Sequence, residues 1–171
     1  GVFAVGHMLE KAQRSGSSRL KRIAAACVLA FFFLLRCSEY CITNAFRVFD
    51  ELVHLQLQDV EFFTVDKKSI PHAELGTREP EYITLNIKFS KTDQIGVGCI
   101  RSCWRVHGHI VCAVKVMRWL VMAALANGRA PSSSLFWWDR APLKAVTFNQ
   151  QLRHLLSGYT YPDGTVVDGD L

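Results

Sequence analysis

SRLKRIAAACVLAFFFLLRCSEY, residues Ser18 to Tyr40, is the stretch whose reading decides the fold. From Ile23 to Leu35 every residue is apolar, and the run stops at Arg36, with Glu39 three positions on. A bilayer span needs about 20 apolar residues. This run is shorter and predicts a helix buried on most sides in a protein core. Arg36 then stands where that helix leaves the core. A guanidinium at that edge is costly unless an anion meets it. Glu39 lies on the same helical face and is one partner; a ligand phosphate is another.

Ahead of the run, Lys11, Arg14, Arg19, Lys21 and Arg22 gather around a break at Arg14-Ser-Gly-Ser-Ser18, where Ser17 or Ser18 can cap the helix. These cations read either as a solvated turn and loop or as a face that meets phosphates. A basic flank before an apolar run also has the outline of a secretory signal starting at Met8. No small-residue cleavage site follows; the run leads into Arg36, Glu39 and Cys41 instead.

The chain has 171 residues, half of them apolar, enough for one domain with its own core. Net charge is +5 and the pI about 9.0, which is compatible with a nucleic-acid partner. A core of this size needs no disulfide staples, so the six cysteines predict a reducing, intracellular compartment. Cys27 falls inside the apolar run, where a buried free thiol is ordinary. The opening Gly1 and the closing VVDGDL predict a piece cut from a longer protein.

In chain order, Gly1 to Gln13 predicts a helix, and Ser38 a cap for a short helix over Glu39 to Asn44. Phe46 to Leu55 is ambiguous. Leu55 to Phe62 and Tyr82 to Phe89 alternate apolar with polar residues, and Gly96 to Trp104 returns as a partner strand. Asp66 to Pro80 reads as a loop. Helices follow over Val111 to Ala126, stopped by Asn127-Gly128, and over Phe148 to Leu156, with Thr147 as its cap. The expected class is α+β: mainly helical, with a small three-stranded antiparallel sheet. Cys99, Cys103, His107, His109 and Cys112 contain zinc-ligand types, but their spacings are irregular and strand alternation explains Cys99 and Cys103 equally well.

Two motifs in order, LAFFFLLRCSEY and the hairpin turn Phe89-Ser-Lys-Thr-Asp-Gln94, resemble the tyrosine recombinases of phage-integrase type. The strand-SKTDQ-Gly-strand wording is close to Crypton- and DIRS-type transposon recombinases. Cys112-Ala-Val, Leu135-Phe136 and Phe148-Asn-Gln-Gln-Leu152 follow in the same order, so the resemblance spans nearly the whole chain. It implies the DNA breaking-rejoining catalytic fold, with residues 1–171 as a single partial catalytic domain. The N-terminal DNA-binding domain and the C-terminal nucleophile region would lie outside it. Double-stranded DNA is the implied partner, with self-association on DNA in the full-length parent and a nuclear location in a eukaryotic host. No membrane, metal or other cofactor is implied.

The same resemblance implies the roles. Such enzymes cleave DNA through a tyrosine that forms a phosphotyrosyl intermediate. Arg36 would hold non-bridging phosphate oxygens, since a planar guanidinium fork suits two oxygens at once. Lys91 would be the general acid for the departing sugar oxygen. Glu39 would orient Arg36. Arg14, Arg19, Lys21, Arg22, Ser90 and Thr92 would contact DNA. The family pattern continues with His-x-x-Arg and a nucleophilic tyrosine. None of the six histidines has Arg three positions later, and Tyr159 and Tyr161 precede the place where that motif belongs. They read as packing or turn residues.

Overall fold

The computed structural model describes residues 1–44, 47–88 and 97–168. Among these residues there are five α-helices, a four-stranded antiparallel sheet and a separate two-stranded ribbon. The class is α+β, as the sequence predicts.

The apolar run forms α2, Ser18–Phe33. Ser17 caps it, its hydroxyl oxygen accepting from the Leu20 N–H at 3.3 Å. Every residue from Arg22 to Leu29 is buried, and so is Phe33. Helix α2 packs against α1 (Val2–Arg14), α4 (Ala113–Ala126), α5 (Ala145–Leu156) and the sheet, which is why it reads apolar all round. Among the described residues, no helix is long and apolar enough to cross a membrane. Toward its end the apolar run is no longer enclosed on all sides: Phe31 and Leu34 are exposed while Phe33 and Leu35 still pack on the core.

The sheet consists of β1 (Val60–Phe63), β2 (Ser69–Ile70), β3 (Tyr82–Ile87) and β4 (Cys99–Trp104), in the order β2-β1-β3-β4. Val60, Phe62, Ile83, Leu85 and Ile87 face the core, as period-two alternation requires. Cys99, Arg101 and Cys103 pair opposite Ile87, Leu85 and Ile83 and therefore share that face. On the other face, the Tyr82 ring stacks between Phe63 and Trp104, with centroids 4.7 Å apart on each side.

The sheet has one strand more than expected, because β2 and a 3-10 turn at His72–Glu74 form inside the stretch read as a loop. Ile70 and Leu75 drive this, since both are buried there. The first expected strand is shorter. Asp59 Oδ2 accepts from the Gln56 N–H at 2.8 Å and closes a 3-10 turn over Leu57–Asp59. A local side-chain bond thus wins over the ladder. Helix α5 starts at Ala145, not Phe148, with Lys144 rather than Thr147 at the cap position.

Helix α2 ends without a glycine. Leu34 adopts φ 50°, and the Leu34 and Leu35 N–H groups both close onto the Ala30 carbonyl, Leu35 at 3.0 Å. A left-handed L-residue costs about 1–2 kcal/mol, and Leu34 is 76% exposed, so it recovers little by packing. Glycine loses more backbone entropy on folding, roughly 0.5–1 kcal/mol. Leu34→Gly is therefore expected to stabilise the protein by about 0.5–1 kcal/mol, read as a higher urea midpoint at unchanged m-value; a lower midpoint would show that the Leu34 side chain matters more than its backbone.

Candidate functional site

The corner after α2 is built in three steps. Leu34 turns the chain out of the helix. Arg101, on β4, reaches across and donates from Nη1 to the Phe33 carbonyl and, at 3.2 Å, to that of Leu34. These are C-terminal helix carbonyls that need donors, and a cation there also suits the helix dipole. Arg36 then occupies the cap position of α3 (Cys37–Tyr40), exposed, with extended backbone.

Glu39 is buried, and its Oε2 accepts from the Arg36 main-chain N–H at 2.9 Å. The Glu39 N–H donates back to the Arg36 carbonyl at 2.9 Å. The expected pairing of the two residues is thus made through the backbone of Arg36: Glu39 fixes where Arg36 sits. The Leu55 N–H donates to the Glu39 carbonyl at 2.9 Å, tying the corner to the chain that enters the sheet. The short helix spans Cys37–Tyr40 instead of Glu39 to Asn44, because this reciprocal bonding starts it at Arg36.

Lys91, Ser90 and Thr92 lie outside the described residues. The connection that carries them leaves β3 at Lys88, which is firmly held. Lys88 Nζ meets Asp59 Oδ2 at 3.0 Å, Gln56 Oε1 at 2.8 Å and the Glu51 carbonyl at 2.6 Å. Asp59 is itself buried. Sequence reading missed both Lys88 and Arg101. Their partners are distant in the chain, and no local pattern marks them.

The four described basic residues expected to contact DNA are not equivalent. Arg14 is exposed at the end of α1. Lys21 lines a recess with Leu9, Ala25, Lys115 and Trp119. Arg19 is exposed and ion-paired with Asp139 at 2.5 Å. Arg22 is buried, its guanidinium 5.1 Å from the Trp137 ring centre. Of the four it is the one whose side chain is buried.

Beside Arg36, three thiols gather on the corner. The Cys41 thiol donates to Cys37, and with a further contribution from Tyr40 this pulls Cys37 down to about 7, against partial burial. The same bond and its burial push Cys41 up. Burial pushes Cys27 up to about 12. Among the described residues, no three His, Cys, Asp or Glu side chains are arranged to hold a metal ion. Two of the residues weighed for zinc are engaged elsewhere: His107 Nε2 lies 3.1 Å from Glu81 Oε2, and Cys112 Sγ accepts from the Val106 N–H at 3.3 Å.

Tyr159 packs its ring edge on His7 at 5.4 Å and on Tyr161 at 5.2 Å. The Tyr161 N–H donates to the Thr165 carbonyl at 2.7 Å, closing a turn. Comparison with protein-family models, with curated proteins and with solved structures finds no match.

The lowered Cys37 has a direct readout. Thiolate, not thiol, is alkylated. Cys37 is therefore expected to react with iodoacetamide with a midpoint near pH 7, about two units below an ordinary thiol. Cys41→Ala should move that midpoint upward by removing the donor. Peptide mapping by mass spectrometry across pH 5–10 measures it, and an unmoved midpoint in Cys41→Ala would exclude the Cys41 bond as the cause.

Proposed function

We propose that this chain is the first half of a tyrosine-recombinase-type catalytic domain, acting on duplex DNA as part of a longer protein. The observation that carries this reading is the Arg36 corner: an exposed arginine locked at the end of a buried helix by a buried Glu39 and tied to the β3–β4 pair through Arg101. A phosphate oxyanion in transition calls for donors held in place before it arrives. A capped helix corner does this better than a loop, because the Arg36 backbone is already held on both its N–H and its carbonyl.

In this reading Arg36 receives the scissile phosphate, Glu39 acts as its positioning residue, and Lys91, carried by the β3–β4 connection, protonates the leaving sugar oxygen. The nucleophilic tyrosine and a second arginine come from elsewhere in the longer protein, which would assemble on DNA inside the cell, in the nucleus of a eukaryotic host. The second reading is a non-catalytic DNA-binding or interaction domain derived from such an enzyme. The engagement of Tyr159 and Tyr161 in ring packing and a turn favours it.

The chain alone is expected to form no covalent adduct with a nicked suicide duplex on a denaturing gel. An adduct mapping to Tyr159 or Tyr161 would overturn this. In a longer version that carries the tyrosine, Arg36→Gln should abolish strand cleavage while shifting stability by no more than about 0.5 kcal/mol, the usual range for an exposed side chain. Arg36→Lys should not restore cleavage, since an ammonium offers no planar fork. Near-normal cleavage by Arg36→Gln would remove the main support for the recombinase reading.

Duplex binding by the chain should be weak and salt-sensitive. If three phosphates are neutralised, affinity should fall about 40-fold between 50 and 200 mM salt. Fluorescence anisotropy with a labelled duplex measures this, and an affinity that stays flat across that range would count against a phosphate-contacting surface.

A further inference from the structure

The Arg36 corner makes no use of a second arginine centre at the other end of α2. Arg22 lies eleven positions before Phe33, the last residue of α2, a helical rise of roughly 16 Å. It is only 9% exposed. The Arg129 guanidinium stands 4.9 Å from the centre of the same Trp137 ring that Arg22 approaches at 5.1 Å. Two cations therefore share one indole.

Each keeps one donor unmet there. The Nε of Arg22 and the Nε of Arg129 are both buried without a hydrogen-bond acceptor. Arg129 Nη2 reaches only the Ser134 carbonyl, at 3.5 Å. The nearby carboxylate, Asp139, bonds Arg19 at 2.5 Å and acts on Arg22 only through its charge. Ring quadrupoles attract cations, by about 2 kcal/mol when desolvated, but they accept no strong hydrogen bonds. A buried donor without an acceptor costs about 1–3 kcal/mol, more when it is charged.

The placement of these groups is nevertheless specific. Gly128, at φ 66°, ends α4 with its N–H on the Leu125 carbonyl and the Arg129 N–H on that of Ala124, which aims Arg129 back over the helix end. Trp137 is held in a two-residue hairpin of β5 (Trp137–Trp138) with β6 (Ala141–Pro142), turned through Asp139 at φ 54°. Arg22 is fixed by α2, in the second turn after the Ser17 cap.

We propose that Arg22 and Arg129, backed by Trp137, form a binding site for a phosphate group. A phosphate carries up to two charges and enough oxygens for both guanidinium forks, each of which can give two parallel N–H donors. A single carboxylate would satisfy one fork and leave the other arginine bare. The apolar indole wall keeps competing water away and strengthens the bonds that form. The phosphate can come from two sources, a small phosphate in solution or the backbone of a bound duplex. The site does not depend on the recombinase reading.

The test is thermal melting of the chain in sodium phosphate and in sodium chloride at matched ionic strength. Inorganic phosphate should raise the wild-type Tm by several degrees with a saturable dependence, as binding to the folded state alone requires. Arg22→Met should abolish that shift and start from an equal or higher Tm, because an unsatisfied buried cation is gone. Arg129→Gln, at the half-buried position, should abolish it too, and it keeps the test open if Arg22→Met fails to fold. No saturable shift in the wild type would overturn the proposal, as would a shift retained in full by both variants. A labelled duplex separates the sources: at least tenfold weaker duplex binding by Arg129→Gln, with competition by inorganic phosphate, assigns the DNA backbone. Unchanged duplex binding with a lost phosphate shift assigns a small phosphate. Arg36→Gln should leave the phosphate shift intact, so failure of the Arg36 reading and failure of this one are distinguishable.

Discussion

A buried helix must still finish its hydrogen bonds where it ends. That constraint governs this structure. Helix α2 runs through the middle of the core, and its last carbonyls emerge beside the sheet. The Arg101 guanidinium meets two of them. Without it, the Phe33 carbonyl would lie at a helix terminus with no intrahelical partner. With it, helix and sheet are fastened at one point, and everything that follows, from Leu34 to the Glu39 bonds, is built on that fixed end.

The functional reading depends on the same fastening. Arg36 gains nothing from exposure by itself; exposed arginines are common. Its environment differs because the backbone beneath it is bonded on both sides, by Glu39 inside the corner and through Leu55 toward the sheet. At the other end of α2 the arrangement is reversed. There Arg22 is buried and firmly placed, but its Nε lacks an acceptor. The two ends of α2 therefore place two arginines in opposite conditions, Arg36 exposed on a bonded backbone just beyond the helix and Arg22 buried within it with its Nε unmet.

Much of this architecture was legible in the sequence. The apolar run, the Ser17 cap, the α4 stop at Asn127-Gly128 and the β3–β4 alternation are local signals, and local chemistry fixes them. The misreadings also have local causes. The Asp59 side chain bonds the Gln56 N–H and bends what alternation predicts as strand. In the polar stretch after β1, a single apolar residue, Ile70, suffices to seat β2 once a neighbouring strand is present. In the candidate site, Arg36 and Glu39 were visible because their spacing is helical. Arg101 and Lys88 were not, because their partners stand tens of positions away along the chain. The contact of Arg22 with Trp137 was hidden for the same reason.

Strand β4 is the last strand of its sheet, next to β3 only, and its outward face shows Ile100 and Trp104 to solvent. Such an edge invites a strand from another molecule. Arg101, directed to the core side opposite Leu85, opposes this. A strand added beyond β4 would have to extend the apolar face past a charged residue already committed to the end of α2. An inward cation on an edge strand is a known deterrent to intermolecular pairing. The residue that closes the helix thereby also protects the chain against aggregation through the sheet edge, so a substitution at Arg101 would be felt in solubility as well as in folding.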